Sequence, residues 1–206
     1  MNIEIKISKK RVDYIKAVKY LEKRHTQVLS NKKPELIWIL EHPPVFTAGI
    51  SYEEKHLLDK NQNVITTDRG GKITYHGPGQ IIFYTIINLN TRKRDIRWFI
   101  NVLENTIIDT LRFYKIDSVS NRKKIGIWVK HKQKQKKIAA IGIKIKKWVT
   151  YHGFSLNVNV NLNKFKKIVP CGLKNRNVIN IKDISNKKTN NIKKILVSNF
   201  INNLEY

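Results

Sequence analysis

Three stretches of the chain place apolar residues at the three- and four-residue steps of an amphipathic helix. They cover residues 11–28, the residues that follow Asp95, and residues 190–203. The apolar positions in chain order are Val12, Ile15, Val18, Leu21 and Val28, then Ile96, Ile100, Leu103, Ile107, Leu111 and Tyr114, and finally Ile192, Ile195, Leu196 and Ile201. We therefore predict three helices, each with one buried face.

Five shorter segments are rich in β-branched and aromatic residues, which is typical of strands. They are residues 36–40, 81–88, 125–129, 138–145 and 154–160. The polar segment of residues 131–136 between two of them is predicted to be a solvated hairpin connection. Helices flanking these strands favour an α+β fold with a mixed or antiparallel sheet. No internal repeat is evident, and we expect one domain over residues 1–206.

The composition of the chain indicates its cellular compartment and the kinds of partner it could bind. A single cysteine excludes an internal disulfide and favours a reducing compartment. The N-terminus lacks the pattern of an export signal. The longest largely apolar run, residues 81–87, is far shorter than a membrane span. We therefore expect a cytoplasmic protein. The 41 Lys and Arg residues against 15 Asp and Glu residues give a formal net charge of +26. This charge would steer nucleic acid or an acidic protein, although lysine is abundant everywhere and compositional drift is an alternative.

Residues 69–80 are the best candidate for a binding loop. Four glycines and a proline precede a predicted strand, so the backbone can approach a ligand closely. The segment is not a P-loop, because Gly71-Lys72 is followed by Ile73 where a hydroxyl is needed. A tight turn that merely requires glycine is the alternative. His42-Pro43-Pro44, which follows a predicted strand, is either a rigid loop beside a site or simply a turn.

The only cysteine, Cys171, is a candidate nucleophile. Pro170 and Gly172 on either side favour an irregular segment in which a thiol is accessible. Cationic neighbours raise the fraction of thiolate that attacks carbonyl groups, and those near in sequence are Lys166, Lys167, Lys174 and Arg176. The alternative is a buried, inert cysteine.

Lys137 is a candidate for proton transfer. Strict alternation along a strand from 137 to 145 would put it on one face with Ala139, Ile141, Ile143 and Ile145, away from Lys136, Lys144 and Lys146. The apolar face is expected to be buried, which would leave Lys137 partly desolvated. Such an amine can accept a proton near neutral pH and return it. A frayed lysine at the strand end is the alternative.

Five ordered segments carry a resemblance to a known family. They are residues 41–47, 69–80, 137–142, 151–158 and 170–172. Together they resemble the lipoyl(octanoyl) transferases over residues 41–172. The resemblance implies the fold of biotin and lipoate protein ligases and a cytoplasmic acyltransferase that needs no metal and no other cofactor.

The resemblance also implies roles and partners. Cys171 corresponds to the nucleophile that carries octanoyl as a thioester, and Lys137 to the residue that promotes its ionisation and acts as general acid and base. The corresponding substrate-binding positions are Arg69, Gly70, Gly71, Lys72, Ile73, Thr74, Tyr75, His76, Ala140, Ile141, Gly142, Gly153, Phe154 and Ser155. The implied donor is octanoyl-acyl carrier protein. The implied acceptors are lysines on the lipoyl domains of 2-oxoacid dehydrogenase E2 subunits and on the glycine cleavage H protein, with no nucleic acid or membrane involved.

Two other functions remain open from the sequence. An ATP-dependent lipoate or biotin ligase would share the fold, but it would activate a free acid and need no cysteine nucleophile. A basic RNA-binding protein would use Trp128, Trp148 and Tyr151 beside many lysines for stacking and phosphate contacts. No RNA-binding signature is evident.

Overall fold

The protein is described by a computed structural model that covers residues 2–121, 125–169 and 177–205. The strands within these residues are β1 (Ile3–Ile7), β2 (Glu35–Leu40), β3 (Val45–Ala48), β4 (Val64–Thr66), β5 (Ile73–His76), β6 (Gln80–Ile86), β7 (Ser118–Ser120), β8 (Ile127–His131), β9 (Lys134–Lys146) and β10 (Val149–Asn157). The helices are α1 (Tyr14–Leu29), α2 (Ile96–Phe113) and α3 (Ile192–Glu205).

The strands form two sheets. The larger sheet has seven strands in the order β1-β2-β6-β10-β9-β8-β7, and the smaller has three in the order β4-β3-β5. Strand β1 runs parallel to β2, and β4 runs parallel to β3, whereas the remaining pairs are antiparallel. The predicted α+β fold with a mixed sheet is therefore confirmed.

Helices cover both faces of the larger sheet. Residues of α1 pack with Trp38, Leu40 and Tyr84 in one cluster, whereas α2 and α3 pack with Ile39 and Phe83 in another. Alternate residues of one strand therefore belong to different clusters, as the two-residue period of a strand requires. Burial on both faces explains why β2 and β6 are almost continuously apolar. No described helix is long and apolar enough to cross a membrane.

The three predicted helices are confirmed, with ends shifted by a few residues. Each of the first two begins at an aspartate whose carboxylate accepts a hydrogen bond from the backbone: Asp13 from Lys16 N at 2.9 Å and Asp95 from Trp98 N at 3.0 Å. Such N-caps satisfy amides that the helix itself leaves unpaired.

Two segments differ from the prediction. Residues 69–80 are not all loop, because Ile73–His76 form β5. The hairpin connection of residues 131–136 is shorter than predicted, because β9 begins at Lys134. Lys132 and Gln133 make the turn with φ values of 46° and 59°, and two consecutive positive φ values suit a tight hairpin whose twist matches that of its strands.

Strand β9 contains a bulge that changes the predicted position of Lys137. Ala139 pairs with Ile127 and Lys137 pairs with Trp128, so Ile138 is an extra residue with no partner on β8. Ile138 and Ala139 both join the core under α2 and α3, whereas the Lys137 amine lies 5.3 Å from the centre of the Trp128 ring. Lys137 therefore shares the opposite face with Ala140 and does not share the face of Ala139, because a bulge shifts the alternation by one residue.

Candidate active site

A narrow cavity of about 50 Å³ lies on the α1 face of the larger sheet, where residues 69–76 cover it. Residues from five separate parts of the chain line it. They are Tyr14, Arg69, Gly70, Gly71, Lys72, Thr74, His76, Ile82, Tyr84, Ala140, Ile141, Gly142, His152, Gly153, Phe154 and Ser155.

The cavity brings together nearly all the substrate-binding positions named from the sequence. The exceptions are Ile73 and Tyr75, which pack in a separate cluster with Phe46, Phe165 and Ile168. Because β5 is a strand, its alternate residues Thr74 and His76 face the cavity while Ile73 and Tyr75 face away. A contiguous loop was the wrong description of these residues.

Close backbone contacts explain the glycines of the site. Gly70 N donates to Ile143 O at 3.1 Å, which fastens the covering loop to β9. A Cβ on Gly142 would lie 2.9 Å from Gly70 O, and a Cβ on Gly153 would lie 2.0 Å from Phe83 O. A side chain at either position would push apart the backbones that enclose the cavity.

Arg69 is held beside the cavity by the smaller sheet. Its Nη2 donates to both O and Oγ1 of Thr47 at 2.8 Å, and its Nη1 donates to Gly70 O at 3.0 Å. Its side chain is close to Gly142, where a Cβ would lie 3.5 Å from Arg69 Cδ. Arg69 Nε is buried without a partner among the described residues, so one N–H remains for a ligand or a water molecule.

His76 presents an acceptor at the cavity. Gln80 Nε2 donates to Asn157 Oδ1 at 2.8 Å, so Gln80 Oε1 is the acceptor for His76 Nδ1–H at 2.7 Å. Burial is the main cause that lowers the pKa of His76 to about 3, and the nearby charge of Arg69 acts in the same direction. The ring is therefore neutral near pH 7, and its Nε2 carries a lone pair.

Tyr14 and Tyr84 line the side of the cavity under α1, and His42 packs behind them. His42 Nδ1 donates to Val12 O at 2.6 Å, so its Nε2 accepts from Tyr84 Oη at 2.8 Å. Burial lowers the pKa of His42 to about 4, which keeps this ring neutral too. Tyr14 stacks on His76 with ring centres 6.0 Å apart, and its hydroxyl is buried without a partner among the described residues.

His152 and Asp68 form a pair at another part of the cavity. His152 Nε2 donates to Asp68 Oδ1 at 3.1 Å, and Asp68 also accepts from Lys144 and Tyr151. The bond from His152 is the main cause that holds the pKa of Asp68 well below its usual range, whereas burial lowers the pKa of His152. His152 Nδ1 is buried without a partner in the described part of the chain. His152 also has a φ of 66°, a conformation that residues other than glycine seldom adopt.

Lys137 is 3% exposed and does not line the cavity itself. Its Nζ donates to Ile125 O at 2.7 Å. Its backbone binds the segment that follows Cys171 in sequence: Lys137 N donates to Asn177 O at 2.6 Å, and Ile179 N donates to Lys137 O at 3.1 Å. Cys171 lies outside the described residues.

Several residues of the site were not predicted from the sequence. Tyr14, Ile82 and Tyr84 lie on a helix and a strand whose apolar patterns indicated only core. His42 and His152 stood in the quoted motifs, but nothing in the sequence gave their partners. Asp68 precedes Arg69 directly and was not considered, although a carboxylate next to a candidate binding loop was a usable signal.

The arrangement combines an apolar slot with neutral imidazoles and a buried guanidinium. Ile82 and Ala140 offer contact for an alkyl group, whereas Arg69 and Tyr14 offer hydrogen-bond donors. Lys137 lies on the same sheet face as Ala140, which lines the cavity. Such a site suits the binding of an acyl chain and chemistry at its carbonyl group.

Comparisons with known proteins agree with this geometry. The lipoyl protein ligase A/B catalytic domain matches residues 13–201. An octanoyltransferase of Ehrlichia chaffeensis is 44% identical over 184 residues, which are 88% of this chain and 86% of that protein. An octanoyltransferase of a Wolbachia from Brugia malayi is 42% identical over 186 residues, or 90% of this chain and 91% of that protein.

A solved structure shares the fold. The crystal structure of lipoate-protein ligase A bound with ATP covers 100% of this chain with 86% of its own, at a TM-score of 0.79 and 16% sequence identity. The chain therefore belongs to the lipoyl protein ligase A/B catalytic domain family and is an acyltransferase.

Proposed function

We propose that this protein transfers octanoyl from octanoyl-acyl carrier protein to the ε-amino group of a lysine on a lipoyl domain, through a thioester on Cys171. The observation that supports this proposal is the position of Lys137, which lies on the same sheet face as the cavity. Nearly all the predicted substrate-binding positions line that cavity. The identity of more than 40% with octanoyltransferases supports octanoyl as the group transferred. The acceptors would be lipoyl domains of 2-oxoacid dehydrogenase E2 subunits and the glycine cleavage H protein, in the cytoplasm.

The proposed reaction has two halves. Neutral Lys137 takes the proton of the Cys171 thiol, and the thiolate attacks the carbonyl carbon of the donor thioester. The bond to the pantetheine sulfur breaks, and protonated Lys137 returns the proton to that sulfur. In the second half the acceptor amine attacks the acyl-enzyme carbonyl and loses a proton to Lys137, and the Cys171 sulfur leaves.

The described structure supports this assignment through the backbone of Lys137. Asn177, six residues after Cys171, accepts a hydrogen bond from Lys137 N. On the other side, Val169 N donates to His56 O at 2.7 Å. The chain is therefore held by backbone hydrogen bonds on both sides of Cys171, to His56 before it and to Lys137 after it.

Intact mass spectrometry with octanoyl-acyl carrier protein and no ATP tests the first half-reaction. We expect one octanoyl group on the wild type, none on Cys171→Ala, and formation slowed by at least about 100-fold in Lys137→Ala. Lys136→Ala is the matched control, because this lysine neighbours Lys137 on the same strand but is not assigned to the chemistry. It should react at the wild-type rate.

The outcomes separate the possible functions. An adduct that persists in Cys171→Ala would exclude the thioester, and octanoyl transfer that requires ATP and a free acid would favour a ligase. In a chase with a lipoyl domain, the octanoyl mass should move to the domain and should not move when its target lysine is replaced by arginine.

A further inference from the structure

The register of β9 and β10 shows which lining residues lie near Lys137 and which lie far from it. Ala140 pairs with Ser155, Gly142 with Gly153, and Ile143 with His152. Because of the bulge, Lys137 and Ala139 are only one paired step apart along β8. At about 3.3 Å per step, the level of Ala140 is roughly 7 Å from Lys137 and the level of Ile143 roughly 17 Å. If the acyl carbonyl lies near Lys137, as the proposed function requires, the chain's other end points toward His152.

The wall near Lys137 and the distant wall differ in polarity. Ile82 and Ala140 lie at the level nearer to Lys137. Arg69 lies at the level of Gly142, and His152 lies one residue further. Arg69 Nε and His152 Nδ1 are both buried and unpartnered within the described residues, so the far end offers one free donor and one free acceptor.

The carboxylate of Asp68 at this far end already has hydrogen-bond donors. Asp68 accepts from His152, Lys144 and Tyr151, and no ion pair of Arg69 occurs within the described residues. Because Asp68 Oδ1 requires a proton on His152 Nε2, the neutral ring keeps its Nδ1 as an acceptor. Asp68 is thus a positioning residue for His152.

We propose that Arg69 and His152 limit the length of the alkyl chain that the cavity accepts, and that a longer chain binds well only when it ends in a hydroxyl group. A methyl group at this level leaves both polar atoms unpaired and excludes the water that could pair with them. The oxygen of a terminal hydroxyl accepts a hydrogen bond from Arg69 Nε–H, and the hydroxyl donates a hydrogen bond to His152 Nδ1. A terminal carboxylate would suit Arg69 but not the lone pair of His152.

The test compares ligands that differ only at their far end. Binding of acyl-pantetheines from hexanoyl to tetradecanoyl, each with and without a terminal hydroxyl, is measured by calorimetry on the Cys171→Ala protein, which cannot form the proposed thioester. Affinity should rise with length and then fall. At the first length where it falls, the hydroxylated ligand should bind at least about tenfold more tightly than the alkyl ligand.

Two variants in the same background locate the effect. His152→Leu should move the fall in affinity to longer alkyl chains and abolish the advantage of the hydroxyl. Lys144→Met is the control, because Lys144 contacts the same carboxylate but does not line the cavity, and its length profile should equal that of the parent.

The proposal is overturned if a terminal hydroxyl never improves binding, since the limit would then be steric, or if affinity rises through tetradecanoyl. The ligand series decides this even if His152→Leu does not fold. Failure of the proposed function would appear separately, as the absence of an octanoyl adduct on the wild-type protein.

Discussion

The site depends on histidines that act as neutral hydrogen-bonding groups. His42 donates to a backbone carbonyl, His76 to Gln80, and His152 to Asp68. Each of these bonds uses one ring nitrogen as a donor, and burial lowers the pKa of all three rings. The second nitrogen is then an acceptor in each. In His42 it already accepts from Tyr84, whereas His76 and His152 line the cavity with theirs.

Two buried tyrosine hydroxyls allow a matched test at the scale of single atoms. Tyr14 and Tyr114 both have a buried hydroxyl without a partner among the described residues, but Tyr14 lines the cavity and Tyr114 follows α2. Replacement by phenylalanine removes an unsatisfied group in both cases, so each variant should be about 1 kcal/mol more stable than the wild type or equal to it.

Activity should distinguish the two variants. Tyr14→Phe should lower kcat/KM for octanoyl transfer several-fold, because the cavity loses a hydrogen-bond donor, whereas Tyr114→Phe should leave kcat/KM unchanged. Chemical denaturation and steady-state kinetics measure the two effects. Equal kinetics for both variants would show that the Tyr14 hydroxyl does not contact a ligand.

At the scale of elements, the bulge in β9 decides what Lys137 contacts. The extra residue, Ile138, keeps two consecutive side chains in the core and turns Lys137 to the cavity's face. Gly126 lies beside it with a φ of 130°. A Cβ there would lie 2.6 Å from Ala139 O and 2.8 Å from Lys137 Cε, so this glycine leaves room for the lysine stem.

A comparison of two glycines tests this arrangement. Gly126→Ala should lower the free energy of unfolding by at least about 3 kcal/mol, because backbone strain adds to a clash with a carbonyl oxygen. Gly71 has a φ of 89°, but the nearest atom to its Cβ would be 3.6 Å away. Gly71→Ala should therefore cost only the strain, about 1 to 2 kcal/mol. Equal losses in urea denaturation would show that the space beside Lys137 is not tight.

At the scale of the whole molecule, the net charge of +26 is the dominant feature. If it steers an acidic donor protein, kcat/KM with octanoyl-acyl carrier protein should fall by at least about tenfold as the screening length shrinks from about 30 Å to about 8 Å between low and physiological salt. The neutral donor octanoyl-pantetheine is the control, and its kcat/KM should change less than about twofold.

The salt series in steady-state kinetics also tests the alternative of compositional drift. An equal, small change for both donors would mean that the charge does not assist encounter with the donor protein. Drift would then be the better explanation of the lysine content.

The sequence was most informative where a local pattern is repeated. The apolar steps after Asp95 predicted α2, and five motifs in order predicted the family. The short strands β1, β3, β4, β5 and β7 were missed because a run of three to five residues carries too few periods to be distinguished from a loop. The polar residues 134–136 were assigned to a turn because they contain no apolar residue to show a strand pattern, whereas pairing with β8 across the hairpin makes them strand.

The sequence by itself determined the family, the fold class and most of the residues that line the cavity. The tertiary structure alone decided their geometry. The bulge that reverses the face of Lys137, the capture of Asp68 by His152, and the free atoms of Arg69 and Tyr14 depend on contacts between residues far apart in the chain. Such contacts leave no local periodicity, because hydrogen-bond partners and strand register are set only when the two sheets and α1 pack together.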